Sequence, residues 1–225
     1  MTGSKWGLVG IGRLGSALLK KCDAEGLPLK VYHPDSAKAK EAVDGTLHQA
    51  ASLFELTGCE YVLLALPASA METFLDELSG VEGHVSPVLI NLSTKDRTDR
   101  LKKAWPAFAF TGVKLAGHAK AFEEAGGALF VSGAWDMDET LRAFFERLGT
   151  TRTGTEEEIE AFNRLVTKTA VTAAVRLERE LEKEGYDADY RRLALRHMVP
   201  EIVKAYEADE LGGFAEAVRR EADGE

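Results

Sequence analysis

The chain has 225 residues, 45% of them apolar and 29% charged, the make-up of an ordinary globular protein long enough to bury a sizeable core in one or two domains. A formal net charge of −9 excludes nucleic acid and anionic membrane surfaces as main partners, because either would require a basic face. Cys22 and Cys59 are the only cysteines, without a C-x-x-C or a Cys/His cluster, so a disulfide framework and structural zinc are excluded and a reducing, cytoplasmic compartment is expected. The opening "MTGSKW" holds no signal-type apolar region and no later run reaches membrane-spanning length, so a soluble protein is expected.

From about residue 5 to 135, short apolar runs alternate with helical patterns, which predicts an α/β fold with a doubly wound parallel sheet of Rossmann type. "WGLVGI" reads as the first strand, Leu14 to Glu25 as the first helix, and "LKVYH" as the second strand. "TLHQ" and Ala51–Leu56 form a short strand and helix. "EYVLLAL" is a continuous apolar strand suited to burial on both faces. Ser69 to Glu72 has capping-box spacing at the head of the next helix. "SPVLINLS", "FAFTGVKL" and "ALFVSG" read as further strands, the last two separated by the polar "AGHAKAFEEAGG", and a helix spans about Asp138 to Leu148.

The composition shifts at "GTTRTGT", which places a boundary between a dinucleotide-type domain, 1–152, and a helical domain, 153–225. Thr155 to Glu158 repeats the capping-box pattern, with acidic residues where the helix dipole favours them. Ile159, Phe162, Val166, Ala173, Leu177 and Leu181 then recur on one face of a long helix ended by Gly185. Asp187 or Asp189 caps the next helix, which is bent or interrupted at Pro200. A last helix covers Phe214–Arg220. So small a helical domain needs to pack on the first domain or on a second copy of itself.

Gly10, Gly12 and Gly15 of "GIGRLG" stand where the first strand hands over to the first helix. In G-x-G-x-x-G the first glycine permits the tight turn, the second leaves room for a pyrophosphate, and the third lets helix and strand approach closely. Ile11, Arg13 and Leu14 complete the loop, and the helix start offers unpaired N–H groups to the diphosphate. The expected cofactor is therefore NAD or NADP. Asp35 lies twenty residues past Gly15, the spacing of a ribose-binding carboxylate; it is equally placed to cap a helix with Ser36. His33, Lys38 and Lys40 stand close by and could receive a 2′-phosphate, which tilts the choice toward NADP.

Several segments together resemble the β-hydroxyacid dehydrogenase and 6-phosphogluconate dehydrogenase superfamily, with its pyrroline-5-carboxylate reductase-like relatives. "GIGRLG" matches the nucleotide loop, and "VYHPDSAKA" falls where the hydroxyacid enzymes have V-Y-N-R-T-x-x-K-A. His33, Pro34 and Asp35 replace the Asn, Arg and Thr, which removes the arginine associated with a 2′-phosphate. "LLALPASA" is similar to the fourth-strand loop along the cofactor, which implies contacts from Leu66 and Pro67. "INLSTKD" is similar to the D-x-S-T segment, with Asn91 for Asp, and implies Ser93 and Thr94 at the nicotinamide end. Glu124, Ala125, Gly126 and Leu129 fit the A-E-A-G-x-L segment, which sets Gly117, His118 and Ala119 near the substrate. The resemblance implies hydride transfer between NAD(P) and a small polar substrate, a hydroxy or keto acid or a cyclic imine. The short helical part is closer to the reductases, which implies a homodimer through the C-terminal helices.

The proton that accompanies a hydride needs a side chain, because the nicotinamide carries only the hydride. Lys114 and His118 follow a strand at the expected mouth of the cleft, and Lys168 lies on the long helix. Asn163 and Lys168 do not reproduce the family's K-x-x-N; five residues apart, they point about 140° from each other around the helix. Lys114 could instead sit in solvent and His118 be an idle loop residue. The scattered histidines give no metal-ligand spacing. The competing reading is a dinucleotide-binding sensor or regulatory protein that kept the nucleotide loop and lost the acid–base group.

Overall fold

The structure, a computed structural model, describes residues 4–81, 86–125 and 128–224. His84 and Gly126 lie outside the described residues. Six strands form one all-parallel sheet: β1 (Trp6–Val9), β2 (Lys30–Tyr32), β3 (Gln49–Ala50), β4 (Tyr61–Leu64), β5 (Val88–Asn91) and β6 (Ala109–Gly112). Their order is β3-β2-β1-β4-β5-β6, the doubly wound arrangement in which the winding reverses between β1 and β4. Helices α1 (Arg13–Ala24), α2 (Ser36–Val43), α3 (Leu53–Leu56), α4 (Ala68–Ser79) and α5 (Thr98–Ala104) connect the strands.

The strand pleat sorts the core into two faces. Val62 and Leu64 of β4 pack with Met71, Phe74 and Leu75 of α4, whereas Tyr61 and Leu63 face Ala17, Leu18 and Cys22 of α1. With both faces covered, the strands read as unbroken apolar runs, which is why they are legible in sequence. Cys22 and Cys59 are both buried free thiols, and burial pushes the Cys22 thiol up to about 12.

"FAFTGVKL" is two strands. At Val113, whose N–H donates to Asn91 O at 3.1 Å, the chain leaves the large sheet, and β7 (Lys114–Ala116) enters a smaller one. There β7 pairs antiparallel with β8 (Leu129–Ser132), which pairs parallel with β9 (Thr150–Thr153). The polar stretch after β7 forms α6 (Ala119–Ala125), anchored by the fully buried Phe122, and "GTTRTGT", expected as a domain boundary, holds strand β9. Its threonines are β-branched and suit an edge strand. A helix, α7 (Glu139–Leu148), precedes it, capped by Asp138, whose Oδ1 accepts from Leu141 N–H at 2.8 Å.

The capping box at Ser69–Glu72 is not formed: α4 starts two residues earlier, with Pro67 at the N-cap and no side-chain cap. A capping box does form at Ser52 and Glu55 on α3. The long helix α8 (Glu156–Lys183) opens with Thr155 Oγ1 accepting from Glu158 N–H at 3.2 Å.

By contact the chain divides into two compact units, residues 1–163 and 164–225. The division falls inside α8 rather than at 152/153, because Glu156, Ile159 and Asn163 all engage the first unit. The second unit continues α8 and adds α9 (Ala188–Leu193), a π-helical turn at Ala194–Met198 just before Pro200, α10 (Val199–Glu207) and α11 (Gly213–Asp223). Asp187 caps α9 by accepting from the N–H groups of Asp189 and Tyr190. Among the described residues of this unit none is buried. No helix among the described residues is long and apolar enough to cross a membrane.

His48 ties α1 to the start of β2 from within the core. Its Nδ1 accepts from Leu29 N–H at 3.2 Å, so the proton sits on Nε2, which donates to Leu19 O at 2.8 Å. A His48→Leu variant orphans the buried Leu29 N–H and is expected to be destabilised by about 1–3 kcal/mol in urea unfolding.

Candidate functional site

The three loop glycines differ in what surrounds them. Gly10 has φ +96°, where L side chains are strained, and a Cβ there would lie 2.5 Å from Ala65 O. A Cβ on Gly15 would lie 1.8 Å from Gly10 O, so the helix can pack on the strand only with glycine at that point. A Cβ on Gly12 would meet nothing within 4 Å. The middle glycine therefore faces an open cradle, and α1 begins beside it with no capping side chain. Ser16 Oγ, donating to Ile11 O at 3.0 Å, holds the loop's shape. This cradle fits a diphosphate: bare amides, a helix N-terminus of twelve residues and no β-carbon in the way.

Two adjoining clefts of about 650 and 730 Å³ meet at Gly12, Ala65, Leu66, Pro67 and Ser69, above the reversal of the sheet between β1 and β4. The first runs toward the end of β2, where Tyr32, His33, Pro34 and Lys38 line it. Its other wall is one face of α4: Ala70, Thr73, Phe74 and Glu77, at helical spacing. This face was not anticipated from sequence, although the i, i+3, i+4, i+7 pattern was there to be read. Tyr32 Oη donates to Glu77 Oε2 at 3.3 Å, and burial together with that carboxylate pushes the phenol above its ordinary pKa. Asp35 is the N-cap of α2; its Oδ1 accepts from Ala37 N–H at 3.0 Å, and His33 Nδ1 accepts from Asp35 N–H at 3.0 Å. Of the groups expected to read the ribose, Lys38 lines the cleft and Asp35 does not.

The second cleft is walled by Arg13 and Leu14 on one side and by Leu92, Ser93, Thr94 and Lys95 on the other. The Ser93 loop is held by a buried polar network. Asn91, fully buried, donates from Nδ2 to Asp96 O at 2.7 Å and to Thr98 Oγ1 at 2.9 Å, and its Oδ1 accepts from Ser93 N–H at 3.0 Å. Glu156, at the head of α8, accepts from Thr98 N–H at 3.0 Å and from the Thr98 hydroxyl.

The expected proton carriers are placed apart. Lys114 is buried, neither in solvent nor in the cleft lining: its Nζ donates to the carbonyls of Asn91 (3.2 Å), Ser93 and Asp96 (3.4 Å) and lies 3.5 Å from Glu156 Oε1. Its Nζ is thus directed at the underside of the Ser93 loop, whereas the expectation set it at the mouth of the cleft. Burial brings its pKa down to about 8 against the pull of Glu156 and Asp96. His118 is exposed at the start of α6; its Nδ1 accepts from Lys120 N–H at 3.3 Å. Lys168 is exposed on α8 within the second unit. Asn163 grips the turn before α6, donating to Leu115 O at 2.9 Å and accepting from Gly117 N–H at 3.3 Å. Sequence reasoning missed Glu156, whose place in an acidic first turn reads as a simple helix-dipole effect.

The sequence model described as the NAD binding domain of 6-phosphogluconate dehydrogenase matches residues 5–156. Among solved structures, the fold is similar to that of a reductive aminase from Aspergillus terreus in complex with NADPH and ethyl levulinate, at TM-score 0.69 and 18% identity over 99% of this chain and 79% of that one. It is also similar to an imine reductase V8 variant from Myxococcus stipitatus in complex with NAD+, at TM-score 0.63 and 16% identity, covering 93% and 78% of the two chains. No curated protein matches the chain.

Gly12→Val fills the cradle without touching the packing, so dinucleotide affinity should fall by about 100-fold or more while the melting temperature holds. Gly15→Ala should instead lower the melting temperature, since its Cβ collides with Gly10 O. Intrinsic-fluorescence titration beside thermal denaturation separates the two effects.

Proposed function

Because the chain belongs to the family of the NAD binding domain of 6-phosphogluconate dehydrogenase, matched over residues 5–156, we propose that it is an NAD(P)-dependent oxidoreductase. Its substrate would be small and polar, a hydroxy or keto acid or a cyclic imine. The observation that carries this reading is the open cradle at Gly12 between two strictly required glycines. The diphosphate would rest on the amides around Gly12, the adenosine in the cleft lined by Lys38, and the nicotinamide against Leu66, Pro67, Ser93 and Thr94. When bound, the cofactor supplies the hydride; the chain's part is to position the substrate, exclude water and move a proton.

NADP is favoured over NAD. The carboxylate at the spacing of a ribose ligand, Asp35, is engaged in capping α2, while the ammonium of Lys38 lines the cleft. For the proton, His118 is better suited than Lys114. With Nδ1 accepting from Lys120, a neutral His118 carries its proton on Nε2 in an exposed position. Lys168 is the other candidate. The sensor reading gains no specific support from the site.

A homodimer through the C-terminal helices is part of the proposal. A helical unit in which no described residue is buried has no core of its own, and Val171, Leu193, Ile202 and Val203 are all exposed. Two buried unpaired thiols suit a reducing cytoplasm.

Lys38→Ala is expected to weaken NADPH binding by about tenfold and leave NADH nearly unchanged, read by titration with both coenzymes. Turnover with NADPH against a panel of keto acids and cyclic imines tests the activity; His118→Ala should lower kcat by about 100-fold or more if it donates the proton. Binding without any turnover would favour the sensor. Light scattering should give twice the 24.5 kDa chain mass.

A further inference from the structure

We propose that Lys114 is a positioning residue for the cleft: from beneath, it holds the backbone of the Ser93–Asp96 loop in the conformation that presents Ser93 and Thr94 to the ligand. The inference rests on the dinucleotide reading above.

A lysine is seldom buried unless each of its three N–H donors is matched. Here the carbonyls of Asn91, Ser93 and Asp96, together with the Glu156 carboxylate, supply the acceptors. An apolar side chain of similar volume would fill the same space without desolvating a charge, so fold stability alone does not call for lysine. What the ammonium adds is specific: it joins the carbonyl of Asn91, the last residue of β5, to those of Ser93 and Asp96 in the loop that follows, and Leu92, Ser93, Thr94 and Lys95 of that loop wall the cleft. Glu156 supports the same loop from α8 through Thr98, so lysine and glutamate act on it from two sides.

The charged groups around Lys114 are Glu156 and Asp96, which favour the ammonium, and Arg97, which opposes it; burial outweighs them and sets the pKa at about 8. Above that pH the neutral amine has two N–H donors for three carbonyls and no ion pair, and the hold on the loop loosens. Stability moves the other way. The folded pKa lies below the ordinary 10.5, so between about 8 and 10.5 the unfolded chain binds more protons, and this group's contribution to stability rises with pH. Loss of affinity against a stability contribution that does not fall distinguishes positioning from a purely structural role.

The test is NADPH titration of the full chain from pH 6.5 to 10, with melting temperatures alongside. The wild-type Kd is expected to rise by about five- to tenfold with a midpoint near 8. Lys114→Met should bind weakly throughout and lose that inflection, and Glu156→Gln, which removes the ammonium's strongest ally, should move the midpoint to lower pH. A folded Lys114→Met with wild-type affinity and pH profile overturns the proposal. Where Lys114→Met does not fold, Glu156→Gln decides: an unmoved midpoint overturns it. A wild-type chain that binds neither NADPH nor NADH at any pH sinks the dinucleotide reading instead.

Discussion

The fold hangs on one close approach, the packing of α1 at Gly15 onto the carbonyl of Gly10, where a single β-carbon would lie 1.8 Å from the oxygen. That approach sets the angle at which the chain turns from strand into helix, and Gly10 in turn leans on Ala65 of the neighbouring strand's loop. Three backbone segments are thereby locked into one floor. Of the three loop glycines only Gly12 faces outward, so a close packing and an open cradle are consequences of the same turn.

The cleft that follows is mostly apolar, with charge confined to a few places. Val9, Ile11, Leu66, Pro67 and Phe74 line it, while Lys38 and Glu77 stand at one end and Arg13 and Lys95 at the other. A chain of net charge −9 can hold an anion there because the local field, from a helix start and nearby cations, outweighs a distant and screened surplus of carboxylates. At the far end the wall is a loop, and its shape depends on buried polar groups rather than on apolar packing. Asn91, Lys114 and Glu156 take up its inward carbonyls and amides, leaving its outer side to the cleft.

Much of this was legible in sequence. Gly10 to Leu14 of the glycine loop, Leu66, Pro67, Ser93 and Thr94 all line the cleft, because each lies beyond a strand's carboxyl end, where the chain must cross over. The resemblance to the dehydrogenase superfamily holds at the level of the matched domain. Asp35 reads equally as ligand or cap because both roles need a short carboxylate at one position; in the structure its Oδ1 caps α2 through Ala37 N–H at 3.0 Å. The burial of Lys114 was not legible, because an isolated lysine reads as exposed or catalytic. Nothing near it in the chain announces the carbonyls of residues 91–96 or a glutamate forty-two residues later.

By itself, then, the sequence determined what depends on neighbours along the chain: strand and helix alternation, the left-handed turn at Gly10, and the bare helix start that suits a diphosphate. Tertiary structure alone decided which polar groups are buried and with whom. It placed strand β9 within the expected boundary segment "GTTRTGT", carried Glu156 to Lys114, and set the unit boundary within α8. The physical reason is range: backbone conformation is governed within a few residues, whereas desolvation and ion pairing are settled only when distant segments close around a group.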